Sequence, residues 1–286
     1  MTLATPMVFI TNDLRMATIR YASADPALSF IIFANLTELD TYRDFYHRIA
    51  YLRTPEVSGK SRHYLSRGGP PALFVIWNGK PEMVRRAIYL DPFKTPKFMW
   101  VDVGCLRLGL DRRIDPRNYM RTNWPAPHRV PHIAPNGRVV IQSIGGYNDA
   151  PCRGMRWMRG ENTTELFAYN ATALSAYSNI TELHTVFHFI MGAWFAGDRG
   201  PLLAFEAEYA RAMRWYFFSH DRPNGTMEDQ YVMLGVACTR PDLLEVLRPT
   251  DGTFGKGGSM RSVRCRYASL KCFCTRMGCC CVGGGD

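Results

Sequence analysis

The sequence predicts an α/β fold in which a mostly parallel central sheet is flanked by helices. Short apolar runs rich in β-branched and aromatic residues alternate along the chain with segments of helical periodicity, which is the pattern of this class. At 286 residues and 47% apolar content, the chain is long enough to bury a full core. No internal repeat is visible, so we expect one domain over residues 1–250, followed by a tail over 251–286.

Five apolar runs predict the strands of the sheet. Residues 98–103, which include Met99 and Trp100, are predicted to be its central buried strand. Residues 73–77 fit either a further strand or the start of the helix that follows them. The predicted strands cover residues 7–10, 28–34, 98–103, 138–144 and 187–195.

Apolar residues at helical spacing predict the helices. The clearest pattern runs through Leu202, Phe205, Tyr209, Met213 and Tyr216. A second helix is expected to begin near Pro81, because proline is favoured in the first helical turn. The predicted helices cover residues 41–52, about ten residues from position 81, 164–177, 201–218, 228–238 and 241–247. Residues 58–71 and 111–135, rich in Gly, Pro and Arg, are predicted to be surface loops.

The charge and the cysteines exclude several classes of function. The net charge is +10, but the arginines are scattered and the tail contributes +4 of it, so we expect no nucleic-acid partner. Six of the nine cysteines lie in residues 251–286, and none is separated by two residues from another, as a zinc site would favour. We interpret this tail as disordered or as an artefact of gene prediction.

Three features of the sequence bear on where in the cell the protein is located. No apolar stretch approaches the about 20 residues needed to span a bilayer, and residues 1–12 lack the basic start and cleavage pattern of a signal peptide. Acceptor triplets for N-glycosylation give modest support for a lumenal protein. These triplets begin at Asn35, Asn162, Asn170, Asn179 and Asn224.

The most informative segment is the strand predicted over residues 98–103, because it carries an acid near its end. Asp102 stands where ligands bind in α/β sheets, beyond the carboxyl ends of the strands. A carboxylate there can hold a divalent metal or a sugar hydroxyl, and Gly104 would let the backbone approach the ligand closely. The alternative is that Asp102 caps a following turn.

Four blocks accompany this strand in a fixed order. The sequence reads Trp-Asn-Gly-Lys-Pro at 77–81, Asp-Pro-Phe at 91–93, a glycine-rich Gly-Ala-Trp-Phe-Ala-Gly at 192–197 and Glu-Asp-Gln at 228–230. With the Trp-Val-Asp-Val-Gly of the strand, the ordered set resembles the HtrL/YibB family of glycosyltransferase-like proteins over roughly residues 6–249. The resemblance implies a GT-A-like fold and a nucleotide-sugar donor.

The resemblance implies a role for the strand and for three of the four blocks. Asp102 would contact the donor sugar or a divalent metal, Mn²⁺ or Mg²⁺, although Gly104 stands where many GT-A enzymes have a second acid. A lone aspartate binds a metal weakly, so the alternatives are further metal ligands or a site that is independent of metal. Lys80 would pair with a phosphate or with the Asp102 region, and Asn78 would hold a sugar hydroxyl. The alternative for Lys80 is a solvated lysine before a helix.

The two later blocks complete the expected donor site. Gly192 would permit close approach of the sugar and Trp194 would stack on it, the alternative being core packing. Asp229 is the candidate catalytic base, with Gln230 orienting the substrate; in a retaining enzyme, Asp229 would stabilise the donor face instead. Acids at this position also occur for helix capping alone.

The resulting prediction is a glycosyltransferase that moves a sugar from a nucleotide-sugar donor to a glycan or other acceptor in the Golgi lumen. The alternative is a non-catalytic carbohydrate-binding or scaffold protein that retains the fold. The resembling family has a strand before the segment that matches residues 6–11. We therefore expect the transcript to extend upstream, adding that strand and a membrane anchor of about 20 residues.

Overall fold

The computed structural model describes residues 6–23, 26–54, 70–102, 137–143, 190–218 and 229–247. Several predictions lie outside these ranges. They concern Gly104, most of the loop at 58–71, the loop at 111–135, the helix at 164–177 and the tail at 251–286.

The N-terminal unit is a strand, a helix and a second strand. β1 (Met7–Thr11) pairs in parallel with β2 (Ser29–Phe33), and α1 (Leu14–Ser23) connects them. Asp13 caps the helix by accepting a hydrogen bond from the backbone N–H of Arg15 at 2.9 Å. This unit keeps large apolar side chains exposed: Leu14, Met16, Ile19, Tyr21, Phe30 and Phe33.

Three helices follow. They are α2 (Asp40–Leu52), α3 (Pro71–Asn78) and α4 (Lys80–Leu90). Residues 73–77 are therefore helical, and Pro81 lies in the first turn of α4 as predicted. Gly79 joins the last two helices where a Cβ atom would lie 2.9 Å from the carbonyl oxygen of Val75, so the tight junction requires glycine.

The main sheet corrects the prediction of a mostly parallel arrangement. Its strands are β3 (Lys97–Val101), β4 (Val139–Ser143), β5 (Ile190–Asp198) and β6 (Leu244–Leu247), in the order β3-β5-β4-β6. β5 is antiparallel to both β3 and β4, and only β4 and β6 are parallel. The α/β class is confirmed, but within the described ranges this sheet is mostly antiparallel. Alternation of element types does not determine strand direction, which depends on the path of each connection.

Two further predictions about this sheet are wrong. The strand beginning at Lys97 lies at one end of the described strand order, and its residues are half-buried, whereas we expected a central buried strand. Residues 244–247, predicted as helix, form β6 beside β4. Four residues are too few to show a period, so the apolar run was compatible with either element.

The two C-terminal helices cover the sheet. They are α5 (Arg199–Phe218) and α6 (Asp229–Thr239). The predicted stripe of α5 is confirmed, with Leu202, Phe205, Tyr209 and Met213 buried. These side chains pack against β4, β5, α2, α3, α4 and α6 to form one core.

Candidate functional site

Three of the predicted site residues meet in the structure at the ammonium group of Lys80. Its Nζ donates hydrogen bonds to Asp229 Oδ2 at 2.5 Å, to the carbonyl oxygen of Gly192 at 2.7 Å and to Asp102 Oδ2 at 3.0 Å. An ammonium group has three donors, so these contacts account for all of them. The partners lie 22, 112 and 149 positions away along the chain.

Four elements place these groups. Lys80 begins α4, and Asp229 begins α6. Asp102 directly follows Val101, whose partner across the ladder is Trp194, so Asp102 and Gly192 lie at the same end of the β3–β5 pair. The site is therefore built from two helix starts and one end of a strand ladder.

Gly192 is the point of closest packing. A Cβ atom at this position would lie 2.3 Å from Asp229 Oδ2, a separation that non-bonded atoms do not adopt. The glycine thus allows the Asp229 carboxylate to lie against β5 beside the Lys80 ammonium. The prediction placed Gly192 against a sugar, whereas the structure places a carboxylate there.

Asp102 is the member of the cluster that faces solvent. Its side chain is 32% exposed, compared with 4% for Lys80 and 6% for Asp229. Asp102 also accepts a hydrogen bond on Oδ1 from the indole Nε1 of Trp100 at 2.7 Å. Trp100 and Asp102 are two residues apart in an extended chain, so both side chains lie on one face.

The cluster carries a net charge of −1, from two carboxylates and one ammonium. Burial acts to lower the pKa of Lys80, but the charges of Asp229 and Asp102 outweigh it, and the pKa lies above its ordinary value. Lys80 is therefore protonated at neutral pH. Its positive charge offsets the cost of burying the Asp229 carboxylate.

Asn78 and Tyr209 lie behind the cluster. The Tyr209 hydroxyl donates to Asn78 Oδ1 at 2.9 Å and lies 3.5 Å from the backbone oxygen of Asp229, while Asn78 donates to the carbonyl oxygen of Phe74 at 2.9 Å. Burial, and secondarily the charge of Asp229, raises the pKa of Tyr209 well above its ordinary value.

These contacts bear on the other predicted donor-binding residues. The Asn78 side chain is buried, and its amide is engaged in hydrogen bonds with Tyr209 and Phe74. Trp194 is 3% exposed because β5 lies between β3 and β4 and is covered by helices, and this burial favours the packing alternative. Gln230 is half-buried on α6. Gly104 lies outside the described residues.

Sequence reasoning did not identify Trp100 and Tyr209 as contributors to the site, nor Glu82 as a buried carboxylate. Tyr209 belongs to the α5 stripe, and its hydroxyl was the only indication that one buried position requires a polar partner. Glu82 lies two residues after Lys80 and is also buried. Its carboxylate accepts bonds from the backbone N–H groups of Asp40 and Thr41, each at 2.8 Å, which caps α2 from a neighbouring helix.

A cavity of about 320 Å³ lies between α2, α4 and α5, and Asn78 and Tyr209 line part of its wall. Most of its charged residues pair across the helices: Arg85 with Asp40 and Glu206, and Arg214 with Asp44. The Arg85 Nε atom lies 3.2 Å from Glu206 but is buried without a hydrogen-bond partner among the described residues.

The described part of the chain contains no group of three or more His, Cys, Asp or Glu residues arranged to hold a metal ion. No helix in the described ranges is long and apolar enough to cross a membrane. Comparisons with protein-family models, with curated proteins and with solved structures found no match.

Proposed function

We propose that this protein is a glycosyltransferase that uses a nucleotide-sugar donor, and that its site is the cluster of Lys80, Asp102 and Asp229. One observation carries the proposal. The resemblance named these three residues from separate segments of the sequence. In the structure, the carboxylates of Asp102 and Asp229 both lie within 3.0 Å of the Lys80 Nζ. Buried charged groups drawn together from several elements, with one partner open to solvent, are typical of functional sites.

Asp102 is the proposed ligand contact, because it is the exposed member of the cluster. A net charge of −1 repels a diphosphate but suits an uncharged group with hydroxyl donors. The cluster is therefore proposed to bind the sugar of the donor through hydrogen bonds to Asp102. Lys80 has no donor left for a phosphate, so we assign it as a positioning residue that holds both carboxylates.

Asp229 is the proposed catalytic base, and its contacts set a condition on that role. A base must come within hydrogen-bond reach of the proton that it removes. The Asp229 side chain is 6% exposed, so an acceptor hydroxyl must enter beside Asp102 and Lys80 to reach it. Sugar transfer therefore requires the acceptor hydroxyl to enter the site beside the bound donor sugar.

The same burial favours a second candidate, a non-catalytic carbohydrate-binding protein. If no acceptor reaches Asp229, the cluster still presents Asp102 to a sugar and uses Asp229 only to hold Lys80. The two candidates share the sugar contact and differ in whether the bond to the nucleotide is broken.

Calorimetric titration with nucleoside diphosphates and with their sugar conjugates tests the sugar contact. We expect the sugar conjugate to bind more tightly than the free nucleotide. Asp102→Asn should weaken binding of the conjugate at least tenfold, since a hydrogen bond to a charged group is worth about 1.5–3 kcal/mol. Affinity for the free nucleotide should not fall, because the substitution removes a negative charge from the cluster.

Asp198→Asn is the matched control, because Asp198 pairs with Lys97 at the opposite end of the same strands. It should leave both affinities unchanged. Equal binding of free and conjugated nucleotide in the wild type would refute a sugar contact at Asp102.

Turnover separates the two candidates. Release of free nucleotide from the conjugate in the presence of an acceptor panel, lost in Asp229→Asn while binding is kept, would support the enzyme. Tight binding of the conjugate without turnover would support the carbohydrate-binding protein.

A further inference from the structure

We infer that the ammonium group of Lys80 occupies the position that a divalent cation would take between Asp102 and Asp229, so that this site works without a bound metal. The statement that the site works without a metal rests on the proposed function. The statement that Lys80 fills the cation position does not, because metal binding can be measured whatever the protein catalyses.

The first support is the chemistry of the groups around the ammonium. It is surrounded by two carboxylates and one backbone carbonyl, from Asp102, Asp229 and Gly192. An all-oxygen set of this kind is what Mg²⁺, Mn²⁺ and Ca²⁺ prefer. The place is therefore suited to a hard cation, and a lysine side chain fills it.

The second support is that both oxygens of Asp102 are engaged. Oδ2 accepts from Lys80, and Oδ1 accepts from the Trp100 indole. A Mg²⁺ ion binds oxygen at about 2.0–2.1 Å, and the Lys80 Nζ already lies 3.0 Å from Asp102 Oδ2 and 2.5 Å from Asp229 Oδ2. An ion that took the place between these two oxygens would have to displace Nζ. The residues present therefore fit the expected metal only if Lys80 leaves.

The third support is that Lys80 is held in place. Its side chain is 4% exposed and belongs to the first turn of α4, which packs against α5 and β3. A cation tethered to the protein acts at a high effective concentration compared with a free ion. Dissolved Mn²⁺ at millimolar levels must therefore compete with the Lys80 ammonium for the two carboxylates.

The experiment is a Mn²⁺ titration of the ¹⁵N-labelled protein over residues 1–286, followed through the indole N–H resonance of Trp100. This N–H donates to Asp102, so a paramagnetic ion at the cluster would broaden it beyond detection. The resonance is assigned with Trp100→Phe. The titration is run on the wild type with and without a saturating nucleotide sugar, on Lys80→Ala and on the control Lys97→Ala.

We expect the wild type and Lys97→Ala to keep the Trp100 resonance through about 1 mM Mn²⁺, and Lys80→Ala to lose it at concentrations at least tenfold lower. Adding Asp102→Asn to Lys80→Ala should restore the resonance. Broadening of Trp100 in the wild type at micromolar Mn²⁺ would overturn the inference, as would a Lys80→Ala protein that folds and does not bind Mn²⁺.

The wild-type result stands even if Lys80→Ala does not fold. The test is also independent of the proposed function. A wild type that binds neither Mn²⁺ nor nucleotide sugar refutes the glycosyltransferase and leaves the cation result intact. A wild type that binds the conjugate only with Mn²⁺ at Trp100 refutes this inference alone.

Discussion

The β3–β5 ladder has a lysine–aspartate pair at each end, and the two pairs differ in almost everything except distance. At one end Lys97 contacts Asp198 at 2.8 Å, and the two residues face each other directly across the strands. At the other end Lys80 contacts Asp102 at 3.0 Å, and Asp229 and Gly192 complete its surroundings.

Burial separates the two pairs. Side-chain exposure at the first end is 22% for Lys97 and 36% for Asp198, so water screens that pair. At the second end Lys80 and Asp229 are almost fully buried, and only Asp102 reaches solvent. An ion-pair distance therefore carries little information about function. Convergence of several elements on one buried charge is the informative feature.

Replacing the two lysines should give the largest difference between the ends. Lys80→Met leaves Asp229 buried without its counter-charge, and we expect a loss of about 3–5 kcal/mol in the free energy of unfolding. Lys97→Met should cost about 0–1 kcal/mol, the usual range for an exposed pair. Urea unfolding of both variants measures the contrast. Similar losses of unfolding free energy in the two variants would contradict the difference between the buried and the exposed pair.

Two glycines give the next largest difference. Gly192→Ala should cost about 1–3 kcal/mol, because the new methyl group overlaps the Asp229 carboxylate. At Gly200, shortly after Asp198, a Cβ atom would have no neighbouring atom within 4 Å. Gly200→Ala lies in a helix and should stabilise by up to about 1 kcal/mol. Thermal unfolding checks both signs, and a harmless Gly192→Ala would contradict the packing described for this end.

The smallest effect concerns the support behind the Lys80 end. Tyr209→Phe removes the hydrogen bond to Asn78 and should cost about 1 kcal/mol at pH 7. Tyr89→Phe, at an exposed position on α4, is the control and should change nothing.

A pH dependence follows from the raised pKa of Tyr209. The folded state holds this proton more tightly than the unfolded state does, so the stabilisation is complete below the ordinary value of 10.0 and is lost as pH rises above it. The deficit of Tyr209→Phe should therefore shrink above about pH 10. A deficit that grows with alkalinity would show that burial does not hold Tyr209 neutral. Lys80, whose pKa is also raised, is present in both proteins and does not affect the comparison.

The sequence was informative about which residues meet and less so about how they are used. Lys80, Asp102 and Asp229 were selected because each follows a recognisable block, and the fold brings them together. Asn78 belongs to the same block as Lys80, and Trp194 to the same block as Gly192, yet both are buried. Block membership does not reveal burial, which depends on the elements that cover a residue from elsewhere in the chain.

The fold shows the same division. The stripe of α5 was predictable because twenty residues display the helical period several times over. The direction of β5 was not, since antiparallel and parallel strands buried on both faces have similar apolar composition. Glu82 was missed because a buried carboxylate that caps another helix resembles an ordinary acid in a first helical turn.

The most direct test of the site is the indole N–H resonance of Trp100 during titration with a nucleotide sugar, with no metal added. Trp100 donates to Asp102, the residue proposed to contact the sugar, so its resonance reports on that carboxylate. We predict that it shifts along a saturation curve with the dissociation constant found by calorimetry, and that it does not move with free nucleotide. Calorimetric binding of the conjugate that leaves the Trp100 resonance unmoved would place the ligand elsewhere and contradict the account.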